Sequence, residues 1–301
     1  MDMSTAIAIL TYRRGHALRT FMVSLREHCT GHPIAIFEDC GNADDTCVWL
    51  RQSAKLVGPD QELAAELWEG FDYEAYLGWR NLGVSGNSNR ALRWFERHPE
   101  FDHLCLCNDD LVAKGDFTVP YVEAHKATGI GLLCFNDWTD DENKPVPIRD
   151  RGRVLHLLPR RKGIMMSMTR KLFEKIGYFD AETFGKFGDE HNDFTNRAAH
   201  AGFMNVRNQP QHCLDIPCAL LAHQEIPTSI NPIDKARFDR EAANQLVVAG
   251  GRYPSTGPWR PFTLGGYSRF AGGYEGAGLH VWSLRRMGYE VVDGFVPDLF
   301  G

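Results

Sequence analysis

Short apolar runs without polar alternation, separated by helical patterns, constrain the fold of this chain most. Residues 6–12 read AIAILTY, and such a run is typical of a strand buried on both faces. The runs that we assign as strands cover residues 6–12, 33–37, 103–107, 130–135 and 163–169. The helical patterns cover residues 15–29, 45–56, 61–68, 87–97, 170–176, 190–201 and 233–248. Strands that alternate with helices predict an α/β fold with a mixed, mostly parallel twisted sheet flanked by helices.

Two acidic clusters follow predicted strands at the points where these strands end. Glu38 and Asp39 come after one strand, and Asn108, Asp109 and Asp110 come after another. In open α/β sheets, ligands bind beyond the carboxyl ends of the strands. Carboxylates there could hold a hard divalent cation that neutralises a leaving diphosphate. Asn and Asp are also favoured turn residues, so the pattern alone leaves an ordinary turn as the alternative.

A charged cluster follows a Gly-aromatic-Gly stretch in the second half of the chain. Glu190, His191 and Asp193 come directly after GKFGD at residues 185–189. Stabilisation by the helix dipole and an Asp193–Arg197 pair four residues apart explain part of this charge. A general base in a cleft requires such a cluster as well, and a histidine base suits neutral pH.

The segment after the fourth predicted strand is basic. We predict a hairpin over residues 146–158 and an extended segment over residues 203–207. Six cations lie close together here: Arg149, Arg151, Arg153, Arg160, Arg161 and Lys162. The whole chain carries 33 Lys and Arg against 39 Asp and Glu, so this positive charge is local. It indicates either a solvated hairpin face or a site for an anionic ligand.

Composition and cysteine spacing exclude several other classes of protein. A hydrophobic fraction of 43% with 24% charged residues excludes a disordered chain, a collagen and a coiled coil. The eight cysteines contain no C-x-x-C, which argues against a zinc site and favours buried free thiols. No signal peptide or long apolar stretch is visible, so we expect a cytoplasmic protein without a transmembrane segment. We expect one domain over residues 1–249 and a Gly/aromatic-rich extension over residues 250–301.

Several segments occur in an order that is characteristic of one enzyme family. The opening AIAILTYRRGHALRTFMVSL resembles its first strand and helix. FEDCGNADDT resembles its DDGSxDxT segment, NLGVSGNSNRAL its N-x-G-x-x-x-x-N stretch, and DHLCLCNDDL the strand with a DxD motif. The segment from MSMTRKLF to AAHAGF resembles the region where a GxFDE turn precedes an ED-x-D-x-x-x-R helix. Together they resemble the inverting glycosyltransferases of the GT-A (Rossmann-like) fold, and most closely those of family 2.

The resemblance implies a metal-dependent transfer of a sugar from a nucleotide-sugar donor, in particular a UDP-sugar, to an acceptor hydroxyl with inversion. It implies that Asp39 recognises the nucleoside and that Asp110 is a metal ligand. His223 is either a second ligand that completes the metal site or a structural residue. An imidazole ligand would favour Mn²⁺ over Mg²⁺. The donor-binding residues that the resemblance implies are Thr11, Tyr12, Arg13, Asp39, Asn81, Asn89, Asn108 and Asp109.

Two positions depart from the family pattern. Asn108 stands where the first acid of the DxD motif is expected, and His191 stands where the family has its base aspartate. The base is therefore His191 itself or one of the neighbouring carboxylates, Glu190 or Asp189. A histidine that only contacts substrate, or a surface histidine, is the alternative at this position.

The acceptor and two other functions stay open at this point. The basic region borders the acceptor cleft in the family, so Arg160, Arg161 and Asp193 are candidate contacts to the acceptor or to phosphate. An anionic glycan or a modified nucleic acid would fit such a charge. The other functions are a nucleotidyltransferase of related fold and a non-catalytic protein that binds a nucleotide sugar. The sequence does not indicate the oligomeric state.

Overall fold

The computed structural model describes residues 4–39, 45–53, 55–56, 63–64, 73–78, 80–135, 146–157, 163–184, 186, 190–204, 214–215, 219–224 and 290–291. Its strands are β1 (Thr5–Thr11), β2 (Ile34–Glu38), β3 (Lys55–Leu56), β4 (Leu63–Ala64), β5 (Tyr73–Leu77), β6 (His103–Asn108), β7 (Leu111–Ala113), β8 (Leu132–Phe135), β9 (Val146–Asp150), β10 (Arg153–Leu157), β11 (Met165–Thr169), β12 (Leu214–Asp215), β13 (Leu221–His223) and β14 (Glu290–Val291). Its helices are α1 (Gly15–His28), α2 (Asp45–Ser53), α3 (Gly83–Arg97), α4 (Thr118–Thr128), α5 (Arg170–Ile176), α6 (Ala181–Phe184) and α7 (Glu190–His200).

A mixed eight-stranded sheet forms the centre of the described fold. Its strands lie in the order β4-β3-β5-β2-β1-β6-β11-β8. The five strands from β3 to β6 in this order run parallel to one another. β11 runs antiparallel to both of its neighbours, and β4 runs antiparallel to β3. The predicted α/β class with a mostly parallel sheet is therefore confirmed.

The sheet is covered on both faces because alternate side chains of a strand point in opposite directions. On β1, Ile7 and Ile9 pack in a cluster with Phe21 of α1, whereas Ala6 packs in a second cluster with Phe95 of α3. All of these side chains are fully buried. Burying an Ile or Phe side chain stabilises a fold by about 1.5–3 kcal/mol, so both helical layers contribute to stability.

The central strands β1, β2 and β6 end at the same edge of the sheet. In the register of the two parallel pairs, Thr11 lies opposite Glu38 and Leu10 lies opposite Asn108. The two acidic clusters that follow β2 and β6 in sequence therefore flank the end of β1. This edge is where open α/β sheets bind their ligands.

A four-stranded antiparallel sheet in the order β12-β10-β9-β14 lies beside the main one. β9 and β10 form the hairpin that the sequence predicts over residues 146–158, and its turn contains Arg151 with a φ of 46° and Gly152 with a φ of 80°. β14 belongs to the predicted extension and pairs with β9. The rest of residues 250–301 lies outside the described residues, so the domain boundary at residue 249 stays a prediction.

Some predicted elements are wrong in detail. The helix predicted over residues 61–68 fails at Leu63–Ala64, which form β4, and the helix predicted over residues 45–56 ends at Ser53 before β3. β5 was not predicted. The segment predicted as extended from residue 203 begins with a turn at Phe203. The helix predicted over residues 233–248 lies outside the described residues.

The cysteines in the described part of the chain are buried free thiols, as predicted: Cys29, Cys47, Cys105, Cys107 and Cys134. Across the same described ranges, no helix combines the length and the hydrophobicity that crossing a membrane requires.

Candidate active site

A cavity of about 280 Å³ lies at the edge where β1, β2 and β6 end. Its walls come from the end of β1 and the following loop, the end of β2, the start of α3 and the end of β6. Six predicted donor-binding residues line it together: Thr11, Tyr12, Asp39, Asn81, Asn108 and Asp109. Segments that are far apart in the sequence thus converge on one polar cavity.

Asp39 fastens the end of β2 to the start of α3. Its two carboxylate oxygens accept the Leu82 N–H at 2.9 Å, and Oδ2 also accepts the Gly83 N–H at 2.7 Å. Burial raises the pKa of Asp39 to about 6, although these N–H groups and Arg90 act in the opposite direction. A carboxylate oxygen can accept two hydrogen bonds, so Oδ1 retains capacity for a ligand.

Gly83 is required at the start of α3. Its φ is +75°, and a Cβ at this position would lie 2.1 Å from the carbonyl oxygen of Lys186. The next residue, Val84, donates its N–H to that same oxygen at 2.6 Å. This close approach brings the chain just before α7 against the wall of the cavity. Sequence reasoning did not identify Gly83, although its place in the N-x-G stretch was a usable signal.

The remaining predicted donor residues have different surroundings. Asn81 accepts the Gly83 N–H with its Oδ1 at 2.8 Å. Asn89 lies away from the cavity, and its side chain donates to the Phe179 carbonyl at 2.9 Å and accepts the Phe179 N–H at 2.8 Å. The predicted donor contact of Asn89 is therefore corrected to a structural role. Arg13 lines a neighbouring cavity of about 380 Å³.

Two buried carboxylates meet a guanidinium that sequence reasoning missed. Arg14 Nη1 lies 2.5 Å from Asp110 Oδ2 and 3.3 Å from Asp109 Oδ1. Thr11 donates its hydroxyl to Asp109 Oδ2 at 2.7 Å. Burial raises the pKa of Asp109 to about 7 against the opposing effect of Arg14. The signal for Arg14 was its position three residues after the end of β1, at the same edge of the sheet as the acids.

His223 lies beside Asp110 because β13 adds to β7. In this antiparallel pair His223 stands opposite Leu111, and its Nε2 lies 3.4 Å from Asp110 Oδ2. Burial would raise the pKa of Asp110, but the hydrogen bond from His223 and the charge of Arg14 outweigh it and hold the pKa below its usual value. The structure thus brings together the two predicted metal ligands, which are 113 residues apart in the chain.

The donor set around Asp110 fits a divalent cation. Asp110 is 7% exposed, and its Oδ1 is buried without a hydrogen-bond partner among the described residues. Carboxylate oxygen with one imidazole nitrogen is a combination that Mn²⁺ accepts. The described ranges hold no cluster of three or more His, Cys, Asp or Glu side chains arranged as a metal site. Asp110 and His223 would therefore hold a cation together with oxygen atoms of a ligand.

Glu190 and His191 form a pair at the start of α7. Glu190 Oε1 lies 3.1 Å from His191 Nδ1, and His191 Nε2 lies 3.4 Å from the Gly163 carbonyl oxygen. The imidazole packs directly on Gly163, where a Cβ would fall 1.5 Å from the ring. Glu190 is 7% exposed and its Oε2 lacks a hydrogen-bond partner in the described part of the chain. The third candidate base, Asp189, lies outside the described residues.

The base candidates lie close to the cavity because His191 contacts Gly163, and the residue after Gly163 is hydrogen-bonded to the end of β6. Residue 163 precedes Ile164, whose carbonyl oxygen accepts the Asn108 N–H at 2.9 Å. Asn108 lines the cavity. The Glu190–His191 pair therefore stands next to the strand end that carries the acidic cluster.

Asp193 is a structural residue in this fold. It is 1% exposed, and its Oδ2 accepts from Arg197 Nε at 2.8 Å. Arg197 in turn donates from Nη1 to the Ile176 carbonyl at 2.7 Å, which ties α7 to the end of α5. This burial argues against the predicted contact between Asp193 and an acceptor or phosphate.

Part of the basic stretch holds the hairpin against α4. Arg153 Nη2 lies 2.9 Å from Glu123 Oε2, and Arg151 Nη1 donates to the Thr128 carbonyl at 2.5 Å. These two cations therefore have structural partners. Arg160 and Arg161 lie outside the described residues, so their contact with an acceptor stays a prediction.

Comparison with known proteins gives agreement in structure without agreement in sequence. No protein-family model and no curated protein sequence matches the chain. A crystal structure of GalNAc-T7 with UDP, GalNAc and Mn²⁺ is similar over 82% of this chain and 48% of that one, with a TM-score of 0.57 and 12% identity. S. aureus TarS is similar over 82% of this chain and 42% of its own, with a TM-score of 0.50 and 12% identity.

A shorter form, S. aureus TarS 1–349 in complex with UDP-GlcNAc, is similar over 81% of this chain and 67% of its own, with a TM-score of 0.50 and 12% identity. The chain thus spans less than half the length of the first two structures. At 12% identity the likeness concerns the backbone fold. The protein therefore has the GT-A fold that its sequence motifs resemble.

Proposed function

We propose that this protein is a metal-dependent glycosyltransferase that moves a sugar from a UDP-sugar to an acceptor hydroxyl with inversion. The observation that carries the proposal is the cavity at the ends of β1, β2 and β6. It gathers six residues that the sequence motifs had assigned to the donor. Asp110, which follows the cavity-lining Asp109, lies beside His223, and the two side chains would supply oxygen and nitrogen ligands for a cation.

The choice of a uridine nucleotide rests on two supports. GalNAc-T7 was crystallised with UDP and Mn²⁺, and TarS 1–349 with UDP-GlcNAc. In this chain, Asp39 Oδ1 accepts one backbone hydrogen bond and can accept a second from the N–H of a uracil ring. Thr11 and Tyr12 line the same cavity and would contact the nucleoside, while Arg13 stands at the neighbouring cavity.

Asp110 and His223 would hold the cation, which supplies charge neutralisation to the departing diphosphate. Mn²⁺ suits an imidazole ligand better than Mg²⁺ does. Asn108 offers an amide oxygen where a second carboxylate would add another negative charge. The two acids of this site are therefore the adjacent residues Asp109 and Asp110, and Asn108 replaces the first acid of a DxD motif.

We infer that Glu190 and His191 act as a unit on the acceptor hydroxyl. Glu190 Oε1 lies 3.1 Å from Nδ1 of the imidazole, and the ring packs on Gly163, which together fix the place of the ring. Nε2 faces the carbonyl oxygen of Gly163, which only accepts hydrogen bonds. Nδ1 and Glu190 Oε2, which have no hydrogen-bond partner among the described residues, are therefore the atoms of the pair that can accept a proton. The pH dependence of kcat/KM decides between them.

The test is a donor panel with the nucleotide product measured. The protein is mixed with UDP- and GDP-sugars in Mn²⁺, in Mg²⁺ or in EDTA, and released nucleotide is quantified. We expect free UDP from one UDP-sugar with Mn²⁺, and loss of at least 10²-fold in rate for Asp110→Ala, because the charge on the leaving group is no longer compensated. Release of pyrophosphate from a nucleoside triphosphate would indicate a nucleotidyltransferase. Binding without any release would indicate a non-catalytic binding protein.

The charge of the basic stretch and the state of the cysteines bear on the acceptor and on the location of the protein. We infer an anionic acceptor, a glycan or a modified nucleic acid, from the local positive charge that includes Arg160 and Arg161. If so, acceptor KM must rise steeply between about 50 and 200 mM salt, because counterions are released on binding. A salt-independent acceptor KM would remove this part of the proposal. The buried free thiols fit a reducing cytoplasm.

A further inference from the structure

Arg14 lies between the end of β1 and the start of α1, and its side chain crosses to the acidic cluster. It is the N-cap residue of α1, and its own side chain makes no capping hydrogen bond to that helix. Its Nη1 reaches both Asp110 Oδ2 at 2.5 Å and Asp109 Oδ1 at 3.3 Å. The guanidinium is one-fifth exposed and lines the cavity where a donor would bind. One cation of the protein therefore already balances the carboxylates.

Arg14 and the predicted metal ligand His223 share one atom of Asp110. His223 Nε2 lies 3.4 Å from Asp110 Oδ2, the same oxygen that Arg14 contacts. A separation of this size suits two ligands of one ion, since Mn²⁺-like ions bind oxygen and nitrogen at roughly 2.1–2.2 Å. An ion in that position would stand within about 5 Å of the guanidinium, where two positive charges in a half-buried site repel each other strongly.

We propose that Arg14 is an exchangeable counter-ion, which pairs with Asp110 while the cation is absent and transfers to the donor diphosphate when the cation binds. The second half of this statement rests on the proposed function. Guanidinium and phosphate oxygens match in geometry and form short charge-assisted hydrogen bonds. Because the guanidinium already lines the cavity, the transfer needs only rotation of the Arg14 side chain.

Exchange of this kind couples binding of the cation to binding of the nucleotide. The cation must displace Arg14 when it binds alone, which weakens its affinity. A diphosphate gives the released guanidinium a new partner, so nucleotide should strengthen binding of the cation and the cation should strengthen binding of nucleotide by the same factor. Arg14 would thereby make binding of metal and donor cooperative.

The first experiment uses Mn²⁺ alone with the full chain. Free Mn²⁺ is counted by its EPR signal during titration of the wild-type protein, Arg14→Gln and Arg19→Gln. Arg19 lies on the same helix, and its guanidinium stands over the Trp49 ring at 5.4 Å, so the control removes an equal charge at a distance. We expect Arg14→Gln to bind Mn²⁺ about tenfold more tightly, the effect of removing one competing charge-assisted contact, and Arg19→Gln to match the wild type. Equal or weaker affinity in Arg14→Gln, or an equal gain in Arg19→Gln, overturns the proposal.

The second experiment repeats the Mn²⁺ titration with saturating UDP. We expect UDP to increase the affinity for Mn²⁺ in the wild type. In Arg14→Gln, the factor of this increase should be about tenfold smaller. An equal increase in both proteins overturns the transfer to the diphosphate. If the wild type binds Mn²⁺ but shows no affinity for UDP, the proposed function fails, while the first experiment still decides the pairing with Asp110. Should Arg14→Gln fail to fold, Arg14→Met, which also removes the charge, replaces it, and an affinity for Mn²⁺ no higher than in the wild type counts against the proposal.

Discussion

The carboxylate of Asp39 accepts the backbone N–H of Gly83 at 2.7 Å, which joins the end of β2 to the first turn of α3. The same carboxylate lines the candidate donor cavity. One side chain therefore both fixes the start of α3 and lines the candidate donor cavity. Loss of Asp39 should affect stability and donor binding together.

We predict that Asp39→Ala lowers the free energy of unfolding by about 1–2 kcal/mol, the usual effect of removing a helix N-terminal acceptor. It should also raise donor KM roughly tenfold with little change in kcat, since a nucleoside contact is the same in ground and transition states. Urea denaturation and steady-state kinetics measure the two effects. Asp45→Ala, which removes an exposed acid at the start of α2, is the control. A defect in kcat alone would exclude nucleoside recognition by Asp39.

Gly163→Ala should displace the imidazole of His191. The added Cβ would fall 1.5 Å from the ring, so the side chain has to move. We expect kcat to fall at least tenfold, since misplacement of a catalytic group by about 1 Å can cost 10²-fold, while donor KM stays unchanged. Gly31→Ala is the matched control, because nothing lies within 4 Å of a Cβ at that position. Normal turnover of Gly163→Ala would show that the position of His191 is unimportant.

The pH dependence of kcat/KM should identify the proton acceptor. Imidazole groups titrate near pH 6.5 in isolated peptides and carboxyl groups near pH 4, and only the neutral imidazole accepts a proton. We expect the wild-type rate to fall on the acidic side of the profile, and His191→Asn to lose about 10²-fold or more together with this decline. Glu190→Gln should lower the rate but keep the decline of the rate towards acidic pH. A wild-type profile that is flat down to pH 5 would assign the proton transfer to Glu190.

A buried histidine pair should make the fold sensitive to acid. His103 and His125 stack with ring centroids 5.3 Å apart, and burial lowers their pKa values from 6.5 to about 4 and about 3. The unfolded chain therefore binds more protons than the folded one below pH 6.5. Stability should fall as the pH drops from 6.5 towards 3–4.

Substitution of His103 tests this dependence. His103→Phe removes a ring whose two nitrogens have no hydrogen-bond partner among the described residues. We expect the loss of stability between pH 6 and pH 5 to shrink by up to about 1.4 kcal/mol, the contribution of one proton per pH unit. His16→Phe, at an exposed position, should leave the slope unchanged. An unaltered slope in His103→Phe would mean that this ring takes up its proton over the same pH range in the folded and the unfolded chain.

Sequence patterns located the strands that carry the site because those strands are buried on both faces. The runs at β1, β2 and β6 contain no polar alternation, and the acids that follow them were visible as strand ends. β3 and β4 were missed because each has two residues and is defined by pairing with a distant segment. A local pattern carries no information about such a pairing.

The roles of single residues were harder to predict than the elements. Arg14 was overlooked because only the folded chain shows that its side chain reaches Asp109 and Asp110. Asn89 and Asp193 matched family motifs by position, yet the side chains of both form contacts within the fold, with Phe179 and Arg197 respectively. A motif fixes the place of a residue on an element, whereas its partners depend on packing that the motif does not encode.

The pairing of β13 with β7 makes the cation site a late product of folding. Gln224 reinforces this pairing, since its N–H donates to the Asp110 carbonyl at 2.7 Å and its Nε2 donates to the carbonyls of Ala17 and Leu111. The residues that line the candidate cavity lie between Leu10 and Asp109, so during synthesis they leave the ribosome long before β13 does. His223 follows Asp110 by more than a hundred residues, so a nascent chain passes through a stage in which the candidate cation site has Asp110 but not yet His223.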